Sequence, residues 1–318
     1  MRPTTPAPAA STSTSTGSTP TGTTSPGPAS SVAVLGAGLL GAAMAARLGE
    51  RGHDVRLWNR SPARAADAAR GAAGVRAVPD LADAVRGAGV VLTVLRDGAA
   101  VAQVARAALP VVGAPGGRGD GGSGGGPVWV QASTVGPGAA DELRALADAA
   151  GVAFLDAPVS GSTDPARRGA LTWLVAGDAD VLARARPVLD DLGQRVQHVG
   201  AASQASALKL VVNAWMTAAT AAMSDALALA DRLGTDPAAL RDVLDGGPLG
   251  MPYALGKAAM MTSGSYPAGF PAELALKDLD LAAGGGPLPG TLEPVRERLR
   301  TVVAGGRGRE DVAVLAEG

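Results

Sequence analysis

Short, mostly apolar runs alternate with longer helical segments through the first two-thirds of the chain. Runs of four or five residues of this kind are typical of buried strands, and they recur at 31–35, 55–58, 90–94, 128–132, 152–155 and 171–175. A helix is predicted over 39–50, and alanine-rich helical stretches separate the later runs. This alternation predicts an α/β fold with a doubly wound parallel sheet.

The pattern changes near Gly200, and from there the chain is predicted to be helical. One long helical segment covers 203–233, and shorter helices are predicted near 236–245, 252–262, 272–283 and 291–303. We therefore expect an α/β domain over 31–200 and an all-α domain over 201–318. Apolar residues surround most of the circumference of the long helix, which predicts burial on more than one side and a homodimer or homotetramer.

Two segments have a composition that does not favour a packed structure. Residues 1–30 are almost entirely Ser, Thr, Pro, Ala and Gly with a single charge, Arg2, so we expect a disordered tail. This segment also lacks the apolar core of a signal peptide. Residues 113–127 are mostly Gly and are predicted to form a flexible loop without a site.

The composition excludes several classes of function. The chain has no Cys, which excludes disulfides, thiolate catalysis and cysteine-based zinc sites. Its two His residues, His53 and His198, leave little for a metal site, and none is predicted. The net charge of −1 gives no general attraction to nucleic acid or anionic membranes. No stretch approaches the roughly 20 apolar residues of a membrane span, so we expect a cytoplasmic protein.

The segment Gly36-Ala37-Gly38-Leu39-Leu40-Gly41 fits the pattern G-x-G-x-x-G between a predicted strand and a predicted helix. In that context Gly36 permits a tight turn, Gly38 permits close approach of a pyrophosphate, and Gly41 permits close packing of the helix on the sheet. The amino terminus of the helix then faces the phosphates. The sequence therefore predicts a dinucleotide site of the Rossmann type that includes Leu39 and Leu40.

The end of the second predicted strand indicates which dinucleotide binds. Sites for NAD usually place Asp or Glu there, whereas this chain has Asn59-Arg60-Ser61. A carboxylate would repel a 2′-phosphate, and Arg60 and Ser61 are able to bind one. We therefore predict NADP in preference to NAD, with NAD as the second possibility.

Lysine is unusually rare in this chain. Lys and Arg total 28, of which only Lys209, Lys257 and Lys277 are lysines. Because Arg remains protonated at any working pH whereas a buried Lys can lose its proton, each of these three lysines is a candidate for work that Arg cannot do. Lys209 lies in an apolar segment with Asn213 one helical turn away, and positions i and i+4 share one helix face. This arrangement predicts acid–base chemistry at Lys209.

A series of motifs follows the glycine loop in a recognisable order. It comprises Met44-Ala45, Gly52-His53, Trp58-Asn59-Arg60, Ser133-Thr134-Val135-Gly136-Pro137, Asp156-Ala157-Pro158-Val159-Ser160-Gly161, Lys209 with Asn213, and Lys277-Asp278-Leu279. From residue 31 onward the chain resembles the β-hydroxyacid dehydrogenase family, which includes 3-hydroxyisobutyrate dehydrogenase and the succinic semialdehyde/glyoxylate reductases. The resemblance implies an NAD(P)-dependent enzyme that transfers a hydride between the nicotinamide cofactor and a small β-hydroxy acid or semialdehyde.

The resemblance also implies roles for individual residues. Lys209 matches the family's catalytic lysine and Asn213 matches its substrate-holding asparagine. The residues that match positions binding the substrate carboxylate are Ser133, Ser160 and Gly161. Leu95 and Arg96 match a segment beside the nicotinamide, and Lys277 matches a lysine close to the cofactor. A small carboxylate substrate is therefore implied.

Three alternatives remain open from the sequence. An imine reductase-like NADPH oxidoreductase has a related two-domain organisation, although such enzymes typically carry Asp or Tyr at the position of Lys209. A non-catalytic dinucleotide-binding scaffold would keep the fold, but the retained lysine argues against it. The pair Tyr253 and Lys257 fits the Tyr-x-x-x-Lys pattern of short-chain dehydrogenases, but it falls in the predicted helical domain.

Overall fold

Within residues 30–114, 125–201 and 203–318, which the computed structural model describes, nine strands form a single sheet. The predicted tail 1–29 and the centre of the glycine-rich segment, 115–124, lie outside these residues. The strands are β1 Ser31–Leu35, β2 Asp54–Trp58, β3 Val75–Ala77, β4 Val90–Thr93, β5 Val128–Gln131, β6 Ala153–Asp156, β7 Val159–Ser160, β8 Leu171–Ala176 and β9 Gly193–Gly200.

The strand order is β3-β2-β1-β4-β5-β6-β8-β7, and β9 pairs with β8. Strands β1 to β6 pair in parallel, and their order 3-2-1-4-5-6 is the Rossmann arrangement. The prediction of a parallel sheet is wrong for β8, which is antiparallel to β6 and β7. Chain reversal at Gly161 to Gly169 explains this difference, since a short helix rather than a full crossover precedes β8.

Of the twelve α-helices in the described residues, seven accompany the sheet and five build the part that follows it. They are α1 Leu39–Glu50, α2 Pro62–Ala69, α3 Leu81–Val85, α4 Gly98–Val112, α5 Pro137–Ala149, α6 Thr163–Arg167, α7 Ala179–Leu192, α8 Gln204–Arg232, α9 Pro237–Leu244, α10 Pro252–Ser263, α11 Ala272–Ala283 and α12 Leu292–Val302. A π-helical turn, Val303–Arg307, and a 3-10 helix, Val312–Glu317, follow. The fold class predicted from the sequence is confirmed.

Two apolar layers cover the opposite faces of the sheet. Residues that alternate along β1 belong to different layers, with Val32 and Val34 on one side and Ala33 and Leu35 on the other. Both faces of β1 are therefore buried, which explains why its sequence is continuously apolar rather than alternating. Because β1 to β6 run in parallel, their carboxyl ends meet at one edge of the sheet, where ligands bind in this architecture.

The helical part has its own core and a buried ion pair. The core packs α11, α12 and the 3-10 helix against α8. Lys257 Nζ of α10 donates to Asp311 Oδ1 at 2.6 Å, and both side chains are buried. Asp311 also accepts hydrogen bonds from the backbone N–H groups of Gly269, Phe270 and Ala313. The positive charge of Lys257 is therefore balanced by Asp311 inside the protein, and Lys257 Nζ lies 4.9 Å from the centre of the Tyr253 ring.

None of the helices among residues 30–114, 125–201 and 203–318 combines the length and apolar character that crossing a membrane would require.

Candidate active site

The glycine loop joins β1 to α1 at the carboxyl edge of the sheet. Gly36 has a φ of 124°, and a Cβ atom there would lie 2.2 Å from the carbonyl oxygen of Val94. A Cβ at Gly41 would lie 2.1 Å from the carbonyl oxygen of Gly36, so both positions require glycine. A Cβ at Gly38 would meet nothing within 4 Å, and this open space is where a phosphate group has room to approach the backbone.

The amino terminus of α1 suits an anion. Over the described residues, no side chain caps α1, and its first turn contains no acidic residue. Because α1 has twelve residues, its first-turn N–H groups and its dipole both favour negative charge at this end. Leu39, the first helical residue, is largely exposed at the same place, and Leu40 is partly buried. The loop and helix together therefore fit the pyrophosphate of a dinucleotide.

The end of β2 is tied to the glycine loop. Asn59 Oδ1 accepts a hydrogen bond from the backbone N–H of Ala37 at 3.2 Å, and Asn59 Nδ2 donates to the carbonyl of Ser61 at 3.2 Å. Asn59 thus shapes the turn that presents the following residues. Arg60 and Ser61 are both exposed beside the loop.

A hydrogen-bonded chain joins α8 to α11. Lys209 Nζ donates to Asn213 Oδ1 at 2.7 Å, one helical turn further along α8. Asn213 Nδ2 in turn donates to Asp278 Oδ2 of α11 at 2.5 Å. Because a carboxylate only accepts hydrogen bonds, Asp278 orients the amide so that its oxygen faces Lys209. All three side chains are buried.

Lys277 connects the hydrogen-bonded series of Lys209, Asn213 and Asp278 to the sheet. Its Nζ atom donates to the carbonyl oxygen of Thr134 at 2.8 Å and lies 2.7 Å from Asp278 Oδ1. Thr134 follows β5 at the carboxyl edge, so the ammonium group bridges the predicted nucleotide part and the helical part. Lys209, Lys277 and Asp278 therefore form one cluster with two amines and one carboxylate.

Burial controls the proton affinity of Lys209. Removal from water lowers the pKa of the Lys209 amine to about 8, with Lys277 adding to the decrease and the negative charge of Asp278 opposing it. An amine with this pKa exists in both protonation states near neutral pH. It is therefore able to give or take a proton during a reaction, as acid–base catalysis requires.

Ser133 and Leu95 lie together where β4 and β5 end. The Ser133 hydroxyl accepts a hydrogen bond from the backbone N–H of Leu95 at 2.9 Å and donates to the carbonyl of Thr93 at 3.3 Å. The backbone of Ser133 is held on both sides by the side-chain amide of Gln131. Ser133 is therefore held firmly at the carboxyl edge of the sheet, where its backbone N–H and its hydroxyl proton already have partners and one hydroxyl lone pair is unused.

The other predicted residues occupy more open positions. Ser160 lies in β7, and Gly161, with a φ of 130°, follows it at the surface. Arg96 is exposed, and its guanidinium is 3.8 Å from Glu273 of α11. Both residues, together with Lys277, line a cavity of about 430 Å³. No hydrogen bond joins Ser160 or Gly161 to Lys209 within the described ranges of the chain.

Two buried carboxylates contact α8, and neither has a role predicted from the sequence. Asp278 lies on the same face of α11 as Ala272, Ala275 and Leu279, so an acidic residue within an apolar helical stripe was the available signal. Asp156, at the end of β6, accepts two hydrogen bonds from Ser206 of α8. Asp156 and Ser206 are 50 residues apart, and no local pattern indicates their contact.

Comparison with known proteins agrees with this geometry. Residues 31–200 match the model of the NAD-binding domain of 6-phosphogluconate dehydrogenase, and residues 203–316 match the model described as the NAD-binding domain of NADP-dependent 3-hydroxyisobutyrate dehydrogenase. The 3-hydroxyisobutyrate dehydrogenase of Pseudomonas aeruginosa is 31% identical over 260 residues, which are 80% of this chain and 84% of that protein. The chain belongs to the β-hydroxyacid dehydrogenase family.

Other members extend the comparison. Glyoxylate/succinic semialdehyde reductase 1 of Arabidopsis thaliana is 32% identical over 257 residues, or 79% of this chain and 83% of that protein. The structure of Mycobacterium tuberculosis 3-hydroxyisobutyrate dehydrogenase with L-serine covers 91% of this chain and 98% of its own, at a TM-score of 0.77 and 28% identity. The predicted enzyme class, an NAD(P)-dependent hydroxyacid dehydrogenase or reductase, is confirmed.

Proposed function

We propose that this β-hydroxyacid dehydrogenase transfers a hydride reversibly between NADP(H) and a small carboxylic acid that carries a hydroxyl group or an aldehyde. The observation that carries the proposal is the buried amine of Lys209, held 2.7 Å from Asn213 Oδ1 with a pKa of about 8. A substrate hydroxyl placed beside this amine would give its proton to the amine, and a substrate carbonyl oxygen would receive a proton from it. The named relatives act on substrates of the same class, 3-hydroxyisobutyrate, glyoxylate and succinic semialdehyde.

Lys209 performs the proton transfer in the proposed reaction. In the direction of reduction, protonated Lys209 Nζ gives its proton to the carbonyl oxygen as the carbon accepts a hydride. In oxidation, neutral Lys209 takes the proton of the substrate hydroxyl. Asn213 holds the amine through Oδ1 and is itself held by Asp278, so the reacting nitrogen keeps one position.

Local charge favours a carboxylate substrate. With Lys209 protonated, the buried cluster carries two positive charges and one negative charge, Lys277 and Asp278 being paired. The surplus positive charge lies in an environment of low effective dielectric, where it attracts an anion more strongly than in water. Ser133, Ser160 and Gly161 are proposed to bind the carboxylate, and for Ser133 this requires its hydroxyl proton to turn from the Thr93 carbonyl toward the ligand. The M. tuberculosis relative was solved with L-serine, which is itself a small hydroxy acid.

The dinucleotide is proposed to lie along the carboxyl edge between β1 and β4. Gly36, Gly38, Leu39, Leu40 and Gly41 would hold its pyrophosphate against the open space above Gly38. Asn59, Arg60 and Ser61 would hold the ribose phosphate, and Leu95, Arg96 and Lys277 would flank the nicotinamide side. When bound, the nicotinamide ring supplies or accepts the hydride.

The proposed function is tested by measuring kcat/KM for a panel of small semialdehydes and keto acids with NADPH and with NADH. We expect turnover of carboxylate-bearing aldehydes, and a higher kcat/KM with NADPH. A charge-assisted hydrogen bond to a 2′-phosphate contributes roughly 1.5–3 kcal/mol, so Arg60→Ala should lower kcat/KM with NADPH by about 10- to 100-fold.

The control for this measurement is Arg70→Ala, which removes the same charge at the far end of α2, where Arg70 pairs with Asp67. Arg70→Ala should leave both values of kcat/KM unchanged, and Arg60→Ala should leave the value with NADH nearly unchanged. Preference for NADH in the unmodified enzyme would contradict the assignment of NADP.

A homodimer or homotetramer is proposed to form through the outer face of α8. Val211 and Trp215 are 64% and 60% exposed, and Leu229 is 44% exposed. These positions fall on one side of the helix, because residues 211 and 229 are five full turns apart and residue 215 is one turn from 211. Large apolar side chains aligned in this way favour association with a second copy.

Light scattering tests this assembly. The unmodified protein should have the mass of a dimer or tetramer, and Trp215→Glu should shift it toward the monomer by placing a charge at the contact. Ala149→Glu adds the same charge on the exposed side of α5 and should leave the mass unchanged. A monomeric unmodified protein at micromolar concentration would rule out this proposal.

We also propose that the two parts of the chain have different roles. Residues 31–200 are proposed as the nucleotide domain and 201–318 as the helical domain for substrate binding and assembly. The different element types on either side of Gly200 support this division. The cytoplasmic location remains a prediction of the sequence.

A further inference from the structure

The first turn of α8, the helix that carries Lys209, is attached to the sheet by a carboxylate from another element. Asp156 Oδ2 accepts the backbone N–H of Ser206 at 2.7 Å, and Asp156 Oδ1 accepts the Ser206 hydroxyl at 2.7 Å. Both residues are fully buried. Asp156 ends β6 at the same edge of the sheet as the glycine loop.

This contact replaces the capping interaction that a helix normally supplies for itself. The N–H of the third helical residue is one of the donors without an intrahelical partner, and the side chain of the residue before the helix usually accepts it. Here that residue, Ser203, makes no such bond and instead donates its hydroxyl to Asp141. Ser206 is the third residue of α8, so Asp156 serves as the cap from β6.

The position of Ser206 connects this cap to the reacting amine. Ser206, Lys209 and Asn213 occupy positions i, i+3 and i+7, which share one face of a helix, and all three are buried. Ser206 and Lys209 are separated by about 4.5 Å along the axis, at 1.5 Å per residue. Two hydrogen bonds at Ser206 therefore restrain both the position of this face along the helix axis and its rotation about that axis.

We propose that Asp156 is a positioning residue, which holds the first turn of α8 on the end of β6 so that Lys209 keeps its position relative to the dinucleotide edge. The inference rests on the proposed function of Lys209. Asn213 and Asp278 orient the amine within the helical part, and Lys277 joins α11, rather than α8, to the segment after β5. Asp156 joins α8 itself to the end of β6, and its two acceptor atoms match the two donors of Ser206.

The charge of Asp156 is compatible with this role. Burial raises the pKa of its carboxyl group to about 6, while the two hydrogen bonds from Ser206 oppose that increase. The group is therefore ionised at neutral pH and accepts from both donors. An amide at the same position would also satisfy both partners, since its oxygen would accept the N–H and its nitrogen would donate to a rotated Ser206 hydroxyl.

The experiment compares variants that differ in how many of these bonds they keep. Asp156→Ala removes both and should lower kcat by about 10- to 100-fold, as expected for a misplaced catalytic group, with the KM for NADPH within about threefold of normal. Asp156→Asn should restore most of kcat. Ser206→Ala keeps the backbone bond and should change kcat by no more than about threefold.

Asp236→Ala is the matched control. Asp236 caps α9 through the N–H of Ala238, far along the chain from Lys209, and its loss should leave kcat within about twofold of normal. If Asp156→Ala does not fold, the double variant Asp156→Asn with Ser206→Ala keeps only one neutral bond in place of the charge-assisted bond that Ser206→Ala keeps, and it should lower kcat by about 3- to 10-fold. A normal kcat in the folded variants, with only a lower melting temperature, would overturn the proposal.

A second measurement does not depend on the substrate. Selective labelling with [13Cε,15Nζ]-lysine gives signals from only three lysines, which Lys→Arg variants assign. In Asp156→Ala the titration of Lys209 should shift upward as the amine becomes more accessible, while the signal of Lys257 stays unchanged. An unchanged Lys209 titration would contradict the positioning role.

The two proposals fail in different ways. In a Lys209→Met background, Asp156→Ala should lower kcat no further, because the group that Asp156 positions is already absent. An equal further loss in that background would overturn the positioning role and leave the role of Lys209 intact. Full activity of Lys209→Met alone would instead overturn the proposed function, whereas the Lys209 titration would still report on Asp156.

Discussion

Replacement of Lys209 by Met is expected to lower kcat by about 10²- to 10⁴-fold, the usual contribution of a positioned acid–base group. Met has a similar length and tolerates burial, so the fold should persist. The loss arises because no other amine of the cluster lies beside Asn213 Oδ1, where Lys209 is held. Steady-state rates in both directions, measured with the best substrate from the panel, provide the check.

The pH dependence follows from the pKa of about 8 for Lys209. Reduction requires the protonated amine, so its kcat/KM should fall as pH rises through about 8. Oxidation requires the neutral amine, so its kcat/KM should rise over the same range. Lys209→Arg keeps the positive charge but cannot lose a proton, and it should abolish oxidation and both inflections.

The control for Lys209 is Lys257, the other buried lysine. Lys257 belongs to the Tyr253-x-x-x-Lys257 pattern, and its amine is bound to Asp311 rather than to the Lys209 cluster. Lys257→Met should therefore leave kcat per folded site within about twofold, although stability falls. Loss of activity in Lys257→Met, with normal kcat in Lys209→Met, would reverse the assignment of the catalytic lysine.

Removal of the buried carboxylate at Asp311 is expected to have the largest effect on stability. Asp311→Ala leaves the Lys257 ammonium buried without a partner, and breaking a buried ion pair in this way costs roughly 3–5 kcal/mol. The backbone N–H groups of Gly269, Phe270 and Ala313 also lose their acceptor. The free energy of unfolding in urea, or the unfolding midpoint if the transition is not two-state, measures this loss.

A more exposed pair of nearly the same length serves as the comparison. Arg298 and Asp225 are 2.7 Å apart, but the Asp225 side chain is 68% exposed, so Asp225→Ala should cost no more than about 1 kcal/mol. The double variant Lys257→Met with Asp311→Asn should be more stable than Asp311→Ala, because it leaves no unpaired charge in the core. Equal stability losses at Asp225 and Asp311 would show that burial of the pair is not the dominant factor.

Strong local patterns predicted most helices accurately. The helix expected over 39–50 is Leu39–Glu50, and the segment expected over 203–233 is Gln204–Arg232. Long periodic segments carry enough signal to determine element type, because helical propensity and apolar spacing agree over many residues. The same reasoning located the glycine loop, where both neighbours in the sequence have a clear pattern.

Two strands that were not predicted from the sequence depend on their neighbours. β3 has three residues, and β9 has the polar sequence GQRVQHVG, so neither has a continuous apolar run. Pairing with β2 and β8, respectively, makes them strands. The antiparallel direction of β8 was equally hidden, since an apolar strand has the same composition in either direction.

The sequence by itself determined the order of an α/β part and a helical part, the glycine loop, and a shared helix face for Lys209 and Asn213. These features are local, and regular backbone geometry links residues a few positions apart. Only the tertiary structure decided that Lys257 pairs with Asp311, that Asp278 orients Asn213, and that Asp156 caps α8, over separations of 54, 65 and 50 residues. Such contacts depend on how whole elements pack, and neither periodicity nor composition specifies a distant partner.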